Sequence, residues 1–265
     1  MWGPSLSPYP CSFANCEYYL CYSLSTPMKP DRYFYATAGA IFLVLTLIGF
    51  RHYIFGGTHT DGSHIDPAIL AVVVLHSSAV FAWYVLFFVQ ALLISVQNRR
   101  LHMKLGWSVL GIAATILCTG PLVAIRSVRL APNDAVFDWP YPRFLLIMLT
   151  EIALYTIFVT IGVINRKRPR IHRPMMLMAS LVLLTGATAR TPFLRVIFGH
   201  SGLVGFFGPV IFLGGVLLLV RFATTRSLDR WFAAGYAGFV LAALVASRLL
   251  LTASWMNWAD ALLKL

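Results

Sequence analysis

Acidic residues are scarce in this chain: nine Asp and Glu among 265 residues, against 21 Lys and Arg. Charged residues of both signs make up only 11%, while hydrophobic ones make up 59%. A soluble domain of this length needs far more polar surface. Cysteine is scarce too. Cys11, Cys16 and Cys21 cluster near the N-terminus, and Cys118 lies alone in an apolar stretch. The C-x4-C-x4-C spacing is not a usual zinc spacing, and a cytoplasmic N-terminus would keep these thiols reduced. No phosphate-binding loop, dinucleotide fingerprint, His-Glu-x-x-His motif or nucleophile elbow occurs, so none of the chemistries those motifs carry is indicated.

What the chain has in their place is length of apolar sequence. Seven stretches qualify: 33–50, 68–96, 105–125, 144–164, 175–194, 203–222 and 232–252. A helical span needs roughly 20 apolar residues to cross about 30 Å of hydrocarbon. Helices satisfy their own backbone hydrogen bonds there, and these stretches are too long and too uniformly apolar for barrel strands. The reading is an all-α, polytopic membrane helix bundle of about seven transmembrane helices.

The net charge of +12 could suit nucleic acid, but its placement argues against that partner. Lys29, Arg32, Arg99, Arg100, Lys104, Arg166, Lys167, Arg168, Arg170, Arg173, Arg221, Arg226 and Arg230 fall on one side of the expected spans. Asp61, Asp66, Asp134 and Asp138 fall on the other. This positive-inside pattern predicts a cytoplasmic N-terminus and an external C-terminus. The lipid bilayer is then the partner, with anionic lipids on the cytoplasmic face. Trp83, Trp107, Trp139, Trp231, Trp255 and Trp258 mostly fall near the expected span ends, as an aromatic belt would.

Residues 1–27 are rich in Ser, Pro, Tyr and Cys, and Met28 is followed at once by Lys29, Pro30, Asp31 and Arg32. The expectation is an upstream extension, disordered or not made, ahead of a membrane domain over 28–265. They lack the basic and apolar regions of a signal peptide. Segments 51–67 and 126–143 read as polar external loops. The first carries His52, His59 and His64 with Asp61 and Asp66 interleaved, donors that suit zinc or copper on an unspecific spacing.

Two apolar stretches open alike, with Arg99-Arg100-Leu101-His102 and with Arg168-Pro169-Arg170-Ile171-His172. Aligning His102 with His172 also pairs Thr115 with Thr185. This reads as a duplicated helical hairpin, about 68–125 and 144–194, repeated in parallel as in small four-helix haem bundles. Two imidazoles at matching depth can supply both axial ligands of a b-type haem, with Arg100 and Arg170 pairing its propionates. The reading that outweighs ligation is that each histidine is an interfacial residue near the first turn of its helix. His76 lies well inside a stretch and needs a polar partner, with Arg190 or Glu151 through water as candidates, or a metal or other cofactor. Glu151, with Tyr155 one turn on, suits a proton relay or a cation site, and reads equally as a protonated or paired structural acid. Arg190 is a candidate member of the same relay. Arg126 and Arg248 snorkel to the outer interface.

On the hairpin motifs, Arg100-Leu101-His102-Met103-Lys104-Leu105-Gly106 and His172-Arg173-Pro174-Met175-Met176 through Arg190, the chain resembles a bacterial family of predicted membrane proteins with no assigned function. The resemblance covers about residues 68–195. The layout is also similar to the b561-like haem membrane proteins, whose paired histidines recur across helix pairs. A second pair would need a histidine at Leu146, so the resemblance implies a single haem on the inner side. Three functions follow as expectations: a one-haem protein in electron transfer or respiratory-complex assembly, a proton-coupled small-solute transporter, and a non-catalytic scaffold of a membrane complex.

Overall fold

The computed structural model describes residues 33–58 and 62–264. The 1–27 segment with its three cysteines, His59 and Asp61 lie outside the described residues. Helix α1 is Phe34–Gly49, followed by a π-helical turn at His52–Gly56. Helix α2 is Pro67–Ser95, α3 is Arg99–Leu105 and α4 is Ser108–Leu130. A two-stranded ribbon, β1 (Ala135–Val136) and β2 (Trp139–Pro140), leads into α5, Tyr141–Ile164. Then come α6 (Pro169–Leu183), α7 (Thr185–Thr188), α8 (Pro192–Phe198), α9 (Gly202–Thr225), α10 (Arg230–Leu249) and α11 (Ala253–Lys264).

Local chemistry sets these boundaries. Asp66 caps α2, its carboxylate accepting from Ala68 N at 2.8 Å with Pro67 at the first helical position. Asn98 caps α3 through Leu101 N, and Asp229 caps α10 through Phe232 N. The turn of the β-ribbon holds Phe137 and Asp138 at φ 53° and 64°, which gives the twist a two-residue hairpin needs.

Five helical segments are long and apolar enough to cross a membrane: α2, α3–α4 taken together, α5, α9 and α10. No more than 39% of any of these spanning windows is buried inside the protein, so most of each helix needs an apolar surround. That is the make-up of a multi-pass membrane bundle. The other two expected spans differ. The 33–50 stretch gives a helix of only 16 residues. The 175–194 stretch is a broken element: α6–α7 ends at Thr188, and α8 leaves at 90°. Pro192 explains the break, since it cannot extend a helix through its own nitrogen.

Helix α6 is the axis of the bundle. Leu177, Met178, Ala179, Leu181 and Val182 are all fully buried, and α6 touches α1, α2, α5, α9 and α10. The α2/α3, α5/α6 and α9/α10 connections share one end, called here the hairpin end. Arg51, Arg190 and His200 lie at the opposite end. Two local expectations are corrected. Helix α4 runs through Arg126 to Leu130 where a loop was expected. Trp83 is a core residue, 2% exposed, and not part of a belt. The last residues form α11, which packs on α4 and α5 through Trp255 Nε1 to Pro142 O and Arg129 Nη2 to Leu262 O.

Candidate functional site

Glu151 and Tyr155 stand one helical turn apart in the middle of α5. Tyr155 is fully buried, with its ring edge-on to Trp83 at 5.0 Å. Its hydroxyl, like Glu151 Oε1, is buried and has no hydrogen-bond partner among the described residues. Thr185, through a side-chain hydrogen bond, and the Arg190 charge both act on the Glu151 carboxyl. Thr185 sits beside Leu184, where α6 gives way to α7.

The other side of this centre is tied down. Trp83 Nε1 donates to Ser180 Oγ at 3.0 Å, and the Tyr84 hydroxyl donates to Ser180 O at 3.1 Å. Glu151, Tyr155 and Thr46 all lie near that Tyr84 hydroxyl. Three other buried hydroxyls spend their protons on carbonyls three or four residues back: Thr46 on Phe42 O, Thr185 on Val182 O and Thr191 on Ala187 O. Four segments, α1, α2, α5 and α6–α7, thus build one polar centre whose α5 atoms are left unmatched.

Arg190 links the centre to the surface. Its Nη1 donates to Gly186 O at 2.7 Å, and its guanidinium lies over Phe50 and Tyr53, 5.5 and 5.7 Å from the ring centres. It also lines a cavity of about 260 Å³ with Arg51, His52, Pro192, Arg195 and His200. Helix α1 is held there by a close crossing, because a Cβ on Gly49 would overlap the Ala187 carbonyl.

His76 belongs to neither group. Its Nδ1 is 2.9 Å from Thr119 Oγ1, and Thr119 donates its one proton to Thr115 O at 2.6 Å. His76 must therefore be the donor at Nδ1. Its direct partner at Nδ1 is Thr119. Among the described residues no three of His, Cys, Asp and Glu come together as a metal site.

His102 and His172 sit at the hairpin end, each the fourth residue of its helix. His102 Nδ1 lies 3.3 Å from Gln90 O, and His172 Nδ1 lies 2.9 Å from Gly162 O. A carbonyl can only accept, so both rings carry the proton on Nδ1 and leave Nε2 as a lone pair. The two imidazoles are within electrostatic range of each other. Gln90 is buried beside them, and neither polar atom of its side-chain amide has a partner among the described residues. Arg100 and Arg170 are exposed, and Arg170 lines a shallow depression with Arg168 and Trp231.

Sequence reasoning placed Glu151, Tyr155 and Arg190 near one another. It missed Thr46, Tyr84 and Ser180, which read as ordinary helix residues, and it missed the grouping of Arg51, Arg195 and His200. Comparison of the chain with family models, with curated proteins and with solved structures gives no match.

Proposed function

We propose that this chain moves protons through the Glu151–Tyr155 centre and couples them to the passage of a small solute. The observation that carries this reading is the pair of buried, unpartnered polar atoms one turn apart on α5. Unmatched polar groups inside a bilayer are costly, and ionisable ones mark ion and proton pathways. A water or a solute group between them removes the cost and makes a relay. The break between α7 and α8, beside Arg190, supports the reading, since transporters bind their substrates at interrupted helices.

In this reading the bundle has seven spans. Helix α1 and the turn after it form the first, and α6–α8 form the broken fifth. The hairpins α2–α4 and α5–α6 are a duplicated unit. The hairpin end faces the cytoplasm of a bacterial cell, against anionic lipid, and the C-terminus is external. The test is purified protein in vesicles that hold a pH-sensitive dye, given an external acid pulse. Glu151→Gln should slow acidification by about a hundredfold, the size of a lost proton-transfer group. Unchanged flux overturns the proposal.

A second reading rests on the hairpin histidines. Two Nε2 lone pairs, each oriented by an Nδ1–H bond to a carbonyl, fit the donor set of a b-type haem. Arg100 and Arg170 are free to meet its propionates. The resemblance to b561-like haem membrane proteins supports this reading, which leads to electron transfer or respiratory-complex assembly. Protein expressed with haem supplied would then show a reduced α-band, lost in His102→Ala and in His172→Ala. A featureless spectrum from folded protein ends this reading.

A further inference from the structure

The cavity at the end of the bundle opposite the hairpins is lined by three arginines and two histidines, with no carboxylate among the described residues that line it. Among the described residues, each guanidinium is held at one edge only. Arg51 Nη1 donates to Ile48 O at 3.0 Å, Arg190 Nη1 to Gly186 O, and Arg195 Nε to His200 Nδ1 at 3.0 Å. A guanidinium has five N–H donors, so most of those in the pocket remain unspent. Because His200 accepts at Nδ1, its neutral ring keeps the proton on Nε2 and adds one more donor. The Arg190 charge also acts on the carboxyl of Glu151, which lies inside the bundle and does not line the pocket.

Such a group of like charges repels itself unless an anion sits among them. The chain nevertheless builds the group firmly. Arg51 and His52 follow α1 directly, Arg190 follows α7, and Gly49 fixes α1 against Ala187 by backbone contact. Aromatic rings hold the Arg190 guanidinium in place.

We infer that this pocket binds a phosphate-type oxyanion, held by Arg51, Arg190 and Arg195. Bidentate guanidinium contacts suit that geometry and charge. Helix α8 beside it exposes Phe193, Val196 and Ile197, at 51%, 82% and 69%, so the pocket lies next to an apolar face. A free anion and a lipid headgroup share the chemistry, and the experiment separates them. The inference goes beyond the proton reading and shares only Arg190 with it. Proton flux is not measured here, so the two fail separately.

The test uses full-length, delipidated protein in detergent. Radiolabelled inorganic phosphate is followed by equilibrium dialysis, and phosphatidic acid against phosphatidylcholine by native mass spectrometry. The expected result is saturable binding that Arg51→Gln and Arg195→Gln each weaken about tenfold, the size of a lost charged hydrogen bond. Arg126→Gln, on α4 outside the pocket, should leave it unchanged. Phosphate binding identifies a free anion. Phosphatidic acid retention without phosphate binding identifies a headgroup. Binding of neither probe, or equal binding by wild type and both pocket variants, overturns the inference.

Discussion

At the hairpin end, His102 and His172 each hand a ring proton to a backbone carbonyl of the preceding helix. In the middle of the bundle, Glu151 Oε1 and Tyr155 OH have no such partner among the described residues. The first arrangement resembles a fastening: a side chain at the start of one helix ties it to the helix before, twice over. The second leaves polar capacity unused where unused capacity is expensive. Matched residues in a sequence therefore need not mark the reactive place. Gln90 blurs the contrast, since its amide is also unmatched and lies beside His102.

The sharpest way to break the comparison is to disturb the scaffold that holds Arg190 over the centre. Gly49→Val places a side chain against the Ala187 backbone, which cannot yield as a flexible side chain can. We expect a loss of about 3 kcal/mol, the upper end for overpacking, read as a lowered thermal unfolding temperature in detergent. Gly162→Ala meets chiefly the flexible Met176 Sδ, at 2.8 Å, and should cost much less. Equal losses would mean that the α1–α7 crossing is not special.

Next in size are the two tyrosines. Tyr84→Phe loses a bond to Ser180 O and should destabilise by about 1 kcal/mol. Tyr155→Phe removes a hydroxyl with no partner and should leave stability unchanged or raise it. Chemical denaturation of the two variants side by side checks this, and a loss in Tyr155→Phe would show that its hydroxyl is paired. The histidines follow. His172→Ala, with the shorter bond, should cost more than His102→Ala, each on the order of 1 kcal/mol. The smallest effect belongs to Arg100→Gln and Arg170→Gln. Both residues are exposed, so stability should stay within about 0.5 kcal/mol of wild type.

Much of the bundle was legible in sequence. Five of the seven apolar stretches are helices long enough to span, because continuous apolar length is a local signal. The histidines fall where the Asn98 cap and Pro169 start their helices. Glu151 and Tyr155 share a face because four residues make about one turn. What escaped was non-local. Trp83 reads as an interfacial residue until Ser180, 97 positions away, is seen to accept its proton. Arg51 and Arg195 sit in separate connecting segments, and only the fold makes them neighbours. The break after Thr188 was signalled by Pro192, but the apolar run on both sides of it hid the bend.

The most direct measurement is proton flux into vesicles for three proteins side by side: wild type, Glu151→Gln, and the double variant His102→Ala/His172→Ala. Flux should collapse in Glu151→Gln and persist in the folded double variant. Flux that survives in Glu151→Gln and is lost in the double variant would rule out the Glu151–Tyr155 relay and move the function to the hairpin end.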